Sequence, residues 1–252
     1  MSDPAPSNSA VHKVLDVLLL FDGQDMRLSA DEISHQLHIP KSTIYRYIRI
    51  LVDKGLLEKA GAAHYCLGLK FIDLGRKALA SNREIRLVAL PSMKRLAEVA
   101  GESISLMRLY NRQVVCIESI EGRPALRVTI ERGRIQPLHA GASSKILLAG
   151  IPFEEWPSYL ELPLRRFTDT TTTDLDALKA EIETVRKTGY CVSDGEIDVG
   201  ARAVAVPLVN RHNEIVAALS IEAPLSRMND ATVLRFLELL REEAGVINQQ
   251  LS

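Results

Sequence analysis

Apolar positions along this chain follow a helical period at first, then alternate, then return to a helical period. Between residues 11 and 21, Val14, Leu15, Leu18 and Leu19 predict a first helix with one apolar face. Ser29 and Glu32 have the spacing of a capping box and open a second helix carrying Ile33 and Leu37. After the tight His38-Ile39 connection, Pro40 suits the first position of a third helix, where its missing N–H is harmless. Ile44, Ile48, Leu51 and Val52 give that helix an apolar stripe. Gly55 suits its stop, and the runs 56–59 and 64–67 around Ala60-Gly61-Ala62-Ala63 predict a hairpin.

A further helix is predicted over 69–82 from Leu69, Ile72, Leu74 and Leu79, with an apolar face in need of a partner. Another runs over 85–99 and is closed by Gly101. The period then falls to two: strands are predicted over 103–110 and 114–120, turned at Asn111-Arg112-Gln113, and over 126–130. Helices at 143–149 and 174–188 follow, the second ended by Gly189. Strands at 190–192, 203–209 and 215–222, the last two turned at Arg211-His212-Asn213, precede a final helix over 229–249. Hairpins with helices before, between and after them predict an α+β domain whose antiparallel sheet is covered on at least one face.

The outer side of the third helix changes the picture from fold to chemistry. Lys41, Ser42, Thr43, Tyr45, Arg46 and Arg49 supply hydroxyls, ammonium and guanidinium groups that bond phosphates and base edges. Three short helices with such a last helix, followed by a hairpin, read as a winged helix-turn-helix. Lys59 and His64 of the hairpin then face phosphate or the minor groove. Charge is concentrated where this reading needs it: the span 40–54 carries net +3, against +1 for residues 1–80 and −2 for the rest. The competing readings are a small bundle with a solvated cationic face, or a winged helix that binds protein.

Composition narrows the rest. With 252 residues, 46% of them hydrophobic and 25% charged, the chain reads as an ordinary globular protein of two domains. Residues 1–8 read as a disordered tail, 9–68 as the winged helix-turn-helix, 69–82 as a linker helix and 83–252 as the second domain. No apolar run approaches the roughly 20 residues of a membrane helix. Cys66, Cys116 and Cys191 are scattered, which fits a reducing cytoplasm and neither a disulfide framework nor a zinc knuckle. No cofactor or metal is expected. His139 with Cys191 as a metal pair is outweighed by two buried neutral side chains.

Four motifs in order resemble the IclR family of bacterial transcriptional regulators over 11–252. Gly189, Ser193, Glu196, Ala203, Val204, Ala205, Leu208 and Asn210 fill the places of a family pattern, and Val209 departs where an aromatic is preferred. The stretch from Leu138-His139-Ala140-Gly141 to Ala149, Pro40-Lys41-Ser42-Thr43 through Arg46, and Tyr65-x-Leu67-Gly68 are also similar. The resemblance implies a winged-helix reader joined to a GAF-like effector domain. It implies homodimers or homotetramers on palindromic double-stranded DNA operators, with repression favoured over activation, answering to a small metabolite. A dimer also follows from geometry, since one helix and wing cover too few bases for specific affinity.

The resemblance places the effector against Ala142, Ser143, Ser193, Ala203, Ser220 and Glu222. Backbone N–H groups of Ala142 and Ser143 at a helix start suit a carboxylate. Alternation puts Ser220 and Glu222 on one face with Ala218. An inward Glu222 repels a carboxylate unless protonated or paired, with Arg127 or Arg202 as partners. It accepts from hydroxyl or amino groups, which points to an organic acid bearing hydroxyl or aromatic groups. The alternative leaves Glu222 in solvent at a strand end. An enzyme using His139 with Ser143 or Cys191 lacks any supporting nucleophile-elbow or phosphate-loop motif.

Overall fold

The computed structural model describes residues 10–22, 27–61, 63–81, 83–123 and 127–251. The chain divides into two compact units, Met1–Ser81 and Asn82–Ser252. The tail expected over 1–8 and the hairpin residue Ala62 lie outside the described residues.

The first unit runs α1 (Ala10–Leu19), β1 (Leu28–Ser29), α2 (Ala30–Leu37), α3 (Lys41–Asp53), β2 (Leu57–Lys59), β3 (His64–Leu67) and α4 (Lys70–Ser81). Its core is built from Val17, Phe21, Ile33, Ile44, Tyr47, Ile48, Leu51 and Leu57. Two of these correct the sequence reading. Val17, with Val14 and Leu18, is the inward row of α1, continued by Phe21 in the turn after it, so Leu15 and Leu19 turn outward, Leu19 with 71% of its surface exposed. Tyr47 joins the apolar stripe of α3, where its ring stacks under the Arg46 guanidinium at 5.6 Å.

Local chemistry fixes the helix ends. The Glu32 N–H donates to Ser29 Oγ at 3.2 Å and the Ser29 N–H to Glu32 Oε2 at 2.7 Å, a complete capping box at the start of α2. His38, in the left-handed region with φ 54°, turns the chain toward α3. Pro40 stands one place earlier than expected, as the N-cap of α3, its carbonyl accepting from the N–H groups of Thr43 and Ile44. At the other end Gly55 donates to Val52 and Leu56 to Leu51, a Schellman closure that a φ of 70° at Gly55 permits. The wing sheet has the order β1-β3-β2, with Lys59 opposite Tyr65 and Ser29 opposite His64. The two-residue β1 carries no periodic signal of its own. Gly68 leaves the wing against Gly55, where an added Cβ would sit 2.2 Å from a carbonyl oxygen. On α4, Leu69 just before it and Ile72 and Leu74 within it are exposed, and the Leu79 side chain lies outside the described residues.

The second unit runs α5 (Arg83–Ala100), β4 (Ser103–Tyr110), β5 (Gln113–Ile120), β6 (Ile135–Gln136), α6 (Ala142–Ala149), α7 (Trp156–Tyr159), α8 (Leu175–Thr188), β7 (Cys191–Asp194), β8 (Ala201–Val209), β9 (Ile215–Pro224) and α9 (Asp230–Asn248). The strands form one antiparallel sheet, β6-β5-β4-β9-β8-β7. Met93, Leu96, Phe236 and Leu240 of α5 and α9 pack on the face bearing Ile104, Leu106, Leu219 and Ile221. Ile146 and Leu148 of α6 and Leu178 and Ile182 of α8 pack on the other, beside Met107, Ala205 and Ala218. Both faces are therefore covered, and the fold is α+β, a winged helix-turn-helix followed by a GAF-like sheet domain with flanking helices.

The strand expected over 126–130 is absent: residues 127–130 carry no regular element, and Leu126 lies outside the described residues. The edge of β5 is instead taken by the turn at 133–134 and by β6, through Val114–Gln136 and Val115–Ile135 pairs. The alternation is real but its target is different, since Val128 and Ile130 point into a pocket.

Candidate nucleic-acid interface and effector pocket

The outward side of α3 is a polar surface held by the buried side. Lys41, Ser42, Tyr45, Arg46 and Arg49 are exposed and Thr43 is half-buried, because Ile44, Tyr47, Ile48 and Leu51 take the inward positions. Lys59 and His64 are exposed on the wing, at the two strand ends next to its turn. Lys41 is bound to the Asp31 carboxylate of α2, which raises its pKa and ties the start of α3 to the preceding helix. Arg46 and Arg49, one turn apart, have no carboxylate partner among the described residues. Two guanidinium groups left without an internal carboxylate are what phosphate and base contacts require.

The second unit places small residues in rows beneath α6. Directly opposed residues of an antiparallel ladder share a face. Ser193, Ala203, Glu222 and Ser103 form one such row across β7, β8, β9 and β4, and Cys191, Ala205, Ser220 and Ser105 form the next. Small side chains here leave a cavity of about 50 Å³, lined among others by Ala142, Ser143, Ser193, Ala203 and Glu222. Ser220 lies just below it: the Ser143 hydroxyl donates to Ser220 Oγ at 2.9 Å, and Ser220 donates to Glu222 Oε1 at 2.5 Å. All six expected residues thus meet at one site.

Glu222 is 2% exposed and does not face solvent. Neither expected arginine reaches it. Arg127 pairs with Glu121, while Arg202 pairs with Asp194 and Asp230 and donates to the Met228 carbonyl. Two hydroxyls, Ser220 and Ser105, the latter at 3.0 Å, hold the carboxyl instead. Burial pushes its pKa up to about 7, against which the serine hydrogen bonds pull only part of the way down.

Sequence reasoning missed the second half of the site. Ser105 sits on the polar side of Ile104 and Leu106, an alternation visible within β4. Glu196 carries the N-terminal mouth of α6: its Oε2 accepts the Gly141 N–H at 3.1 Å, and its Oε1 accepts from Lys145 Nζ at 2.8 Å. Lys145, buried, also donates to Glu181 at 2.5 Å. Burial pulls Lys145 down, but Glu196 and Glu181 outweigh it, and the group is held above its ordinary pKa. Across the mouth, Ile197 packs on Gly141 and Asp198 pairs with Arg134 at 3.2 Å.

Groups suggestive of catalysis are engaged elsewhere. His139 Nε2 lies 2.9 Å from the Arg165 carbonyl, and burial lowers its pKa, so the ring is neutral and donates there. The Cys116 and Cys191 thiols are pushed up to about 12, chiefly by burial, which removes them as nucleophiles at neutral pH. Among the described residues no cluster fits a metal ion, and no helix is long and apolar enough to cross a membrane.

Comparison with known proteins assigns both units to one family. Residues 10–61 match the IclR helix-turn-helix domain and residues 77–249 the bacterial transcriptional regulator IclR C-terminal domain. The HTH-type transcriptional regulators KdgR and XynR of Escherichia coli are each 31% identical, covering 97% and 98% of this chain and 93% and 98% of their own. The transcriptional repressor AllR of the same species is 29% identical over 96% of this chain and 90% of its own. The crystal structure of the Thermotoga maritima IclR superposes with a TM-score of 0.72 at 27% identity, covering 96% of this chain and 98% of that one. An IclR homologue from Microbacterium hydrocarbonoxydans, solved in complex with 4-hydroxybenzoate, gives 0.78 at 30% identity, covering 96% and 99%. These relatives are named as transcriptional regulators, not enzymes. The chain belongs to the IclR family of bacterial transcriptional regulators: a DNA-binding protein of the class that answers to small-molecule effectors.

Proposed function

We propose that this chain is a cytoplasmic repressor whose operator binding is controlled by a small organic acid bearing hydroxyl or aromatic groups. The observation that carries the reading is the floor of the cavity, where the Glu222 carboxyl is held by serine hydroxyls and not by a cation. The acid's carboxylate takes the free N–H groups of Ala142 and Ser143 at the start of α6. Its hydroxyl or ring reaches Ser193, Ala203, Ser220 and Glu222, with Glu222 as the acceptor. The similar Microbacterium homologue, which binds 4-hydroxybenzoate, supports an acid of this shape. At about 50 Å³ the cavity holds only a water or two, so binding requires the Ile197 and Asp198 contacts to open.

On DNA, α3 enters the major groove with Lys41, Ser42, Thr43, Tyr45, Arg46 and Arg49, while Lys59 and His64 of the wing meet the backbone. Val11, Leu15 and Leu19, four residues apart and exposed on α1, supply an apolar row for a second copy, as a palindromic operator requires. The effector acts by favouring one arrangement of the assembly over another. Selecting genomic fragments with the purified protein at rising salt tests this. A palindromic fragment released by salt with a slope of several phosphates, and released again by a hydroxylated aromatic acid, is expected. Equal retention of all fragments, or none, contradicts it.

A further inference from the structure

A second concavity lies on the far side of the segment that leads into α6. It opens to about 430 Å³, several times the space beneath α6 and within the range of roughly 300–1,000 Å³ that small-molecule sites occupy. Two arginines face it from opposite elements. Arg112 comes from the β4–β5 turn, and Arg165 from the loop after α7. We propose that this cleft is a second ligand site, for a planar aromatic carboxylate, separate from the pocket beneath α6. The proposal stands on its own lining and does not depend on the assignment of that pocket.

The lining is built in a way that surface arginines ordinarily are not. Asn111 and Arg112 both have positive φ, 46° and 70°, the geometry of a two-residue turn whose second place favours glycine. An arginine held there is strained, and its side chain is what the strain presents to the cleft. Arg165 is fixed by two contacts: its guanidinium stacks 5.1 Å from the Phe167 ring centroid, and its carbonyl accepts from His139. Among the described residues neither arginine has a carboxylate partner, and Glu161 is the single acid among the residues that line the cleft. His139 adds no charge, being buried and neutral. Phe167 and Tyr159 add aromatic surface beside three prolines. Guanidinium forks for a carboxylate, set against flat apolar walls, select a flat anion over a sugar or a cation.

The cleft also touches the first pocket. Gln136 of β6 lines both cavities, is itself buried, and has no side-chain hydrogen-bond partner among the described residues. The backbone from Leu138 and His139, in the cleft wall, runs directly to Gly141 and the start of α6. An occupant that orders this wall changes affinity at the first pocket, and the change is reciprocal.

Trp156, the chain's single tryptophan, directly precedes Pro157 and Ser158 of the lining and reports on the cleft by fluorescence. The full-length protein is titrated with benzoate and followed by Trp156 emission and by calorimetry. A saturable emission change is expected, retained when Ser143→Val fills the first pocket and weakened about tenfold or more by Arg112→Gly and by Arg165→Ser. Arg112→Gly relieves the turn, so misfolding does not explain its loss. An Arg112→Gly titration that superimposes on wild type overturns the proposal, as does a single calorimetric site abolished by Ser143→Val. A change of assembly mass in Arg112→Gly with unaltered benzoate response also overturns it, assigning the arginines to a subunit contact.

Discussion

The outer face of α3 and the cavity beneath α6 use the same few residue types to opposite ends. On α3, hydroxyls and cations stand in solvent above an apolar core, and Arg46 and Arg49 are left for a partner outside the chain. Under α6, hydroxyls and charges are buried and spend their hydrogen bonds on one another: Ser143 to Ser220, Ser220 and Ser105 to Glu222, Lys145 to Glu196 and Glu181. The exposed face is assembled by periodicity, so its members fall together in sequence. The buried cavity is assembled by sheet register, and its members come from β4, α6, β7, β8 and β9. The first surface tolerates loss of a charge without unfolding. The second does not, because the partner of a lost charge stays buried and unpaired.

That contrast is sharpest at Lys145. Replacing it with Met leaves Glu196 buried without its cation, and the second unit is expected to lose about 3–5 kcal/mol in urea unfolding. A loss within the ordinary surface range would mean that Glu196 reaches water. Next is the pH response. Glu222 is raised in the folded state, so that state binds the extra proton between the ordinary carboxylate range and about 7. Its stabilising contribution is therefore complete at low pH and falls as pH rises through this window, by an amount on the order of 3 kcal/mol. Glu222→Gln removes the slope, and unfolding curves at pH 5 and pH 8 check it.

On the reader, Arg46→Ala is expected to cost about 1–3 kcal/mol of operator affinity and to relax base preference, with thermal stability unchanged. A uniform loss over all sequences places Arg46 on phosphate. Ser29→Ala removes half of the capping box and should destabilise the first unit by about 1 kcal/mol, seen as a lower midpoint for that unit alone. Smallest is Lys59→Ala, which should reduce the salt slope of operator binding by about one and leave its sequence preference intact.

How much was legible in the sequence follows the same division. The capping box at Ser29, the stripe of α3, the wing and the stop at Gly55 are local signals, each set within a few residues, and they stand where the pattern puts them. Where local reading failed, a longer-range contact had decided. Tyr47 was not among the residues assigned to the apolar stripe of α3 but fills the core. The apolar alternation near Val128 lines a cavity, because β6 had already taken the edge of β5. Alternation put Glu222 on a face with Ser220 but left its exposure open, because its partner Ser105 lies 117 residues away and Ser143, which donates to Ser220, lies 77 residues from that contact. Glu196 stood in the motif with no visible role until Gly141 and Lys145 met it.

The most direct test of this division of labour is operator binding by fluorescence anisotropy, with and without 4-hydroxybenzoate or a related acid, in wild type, Arg46→Ala and Ser143→Val. Arg46→Ala should lose operator affinity while still binding the acid, and Ser143→Val should bind the operator as wild type does but no longer respond to the acid. If each variant lost both properties, or neither, reading and sensing would not reside on these two surfaces.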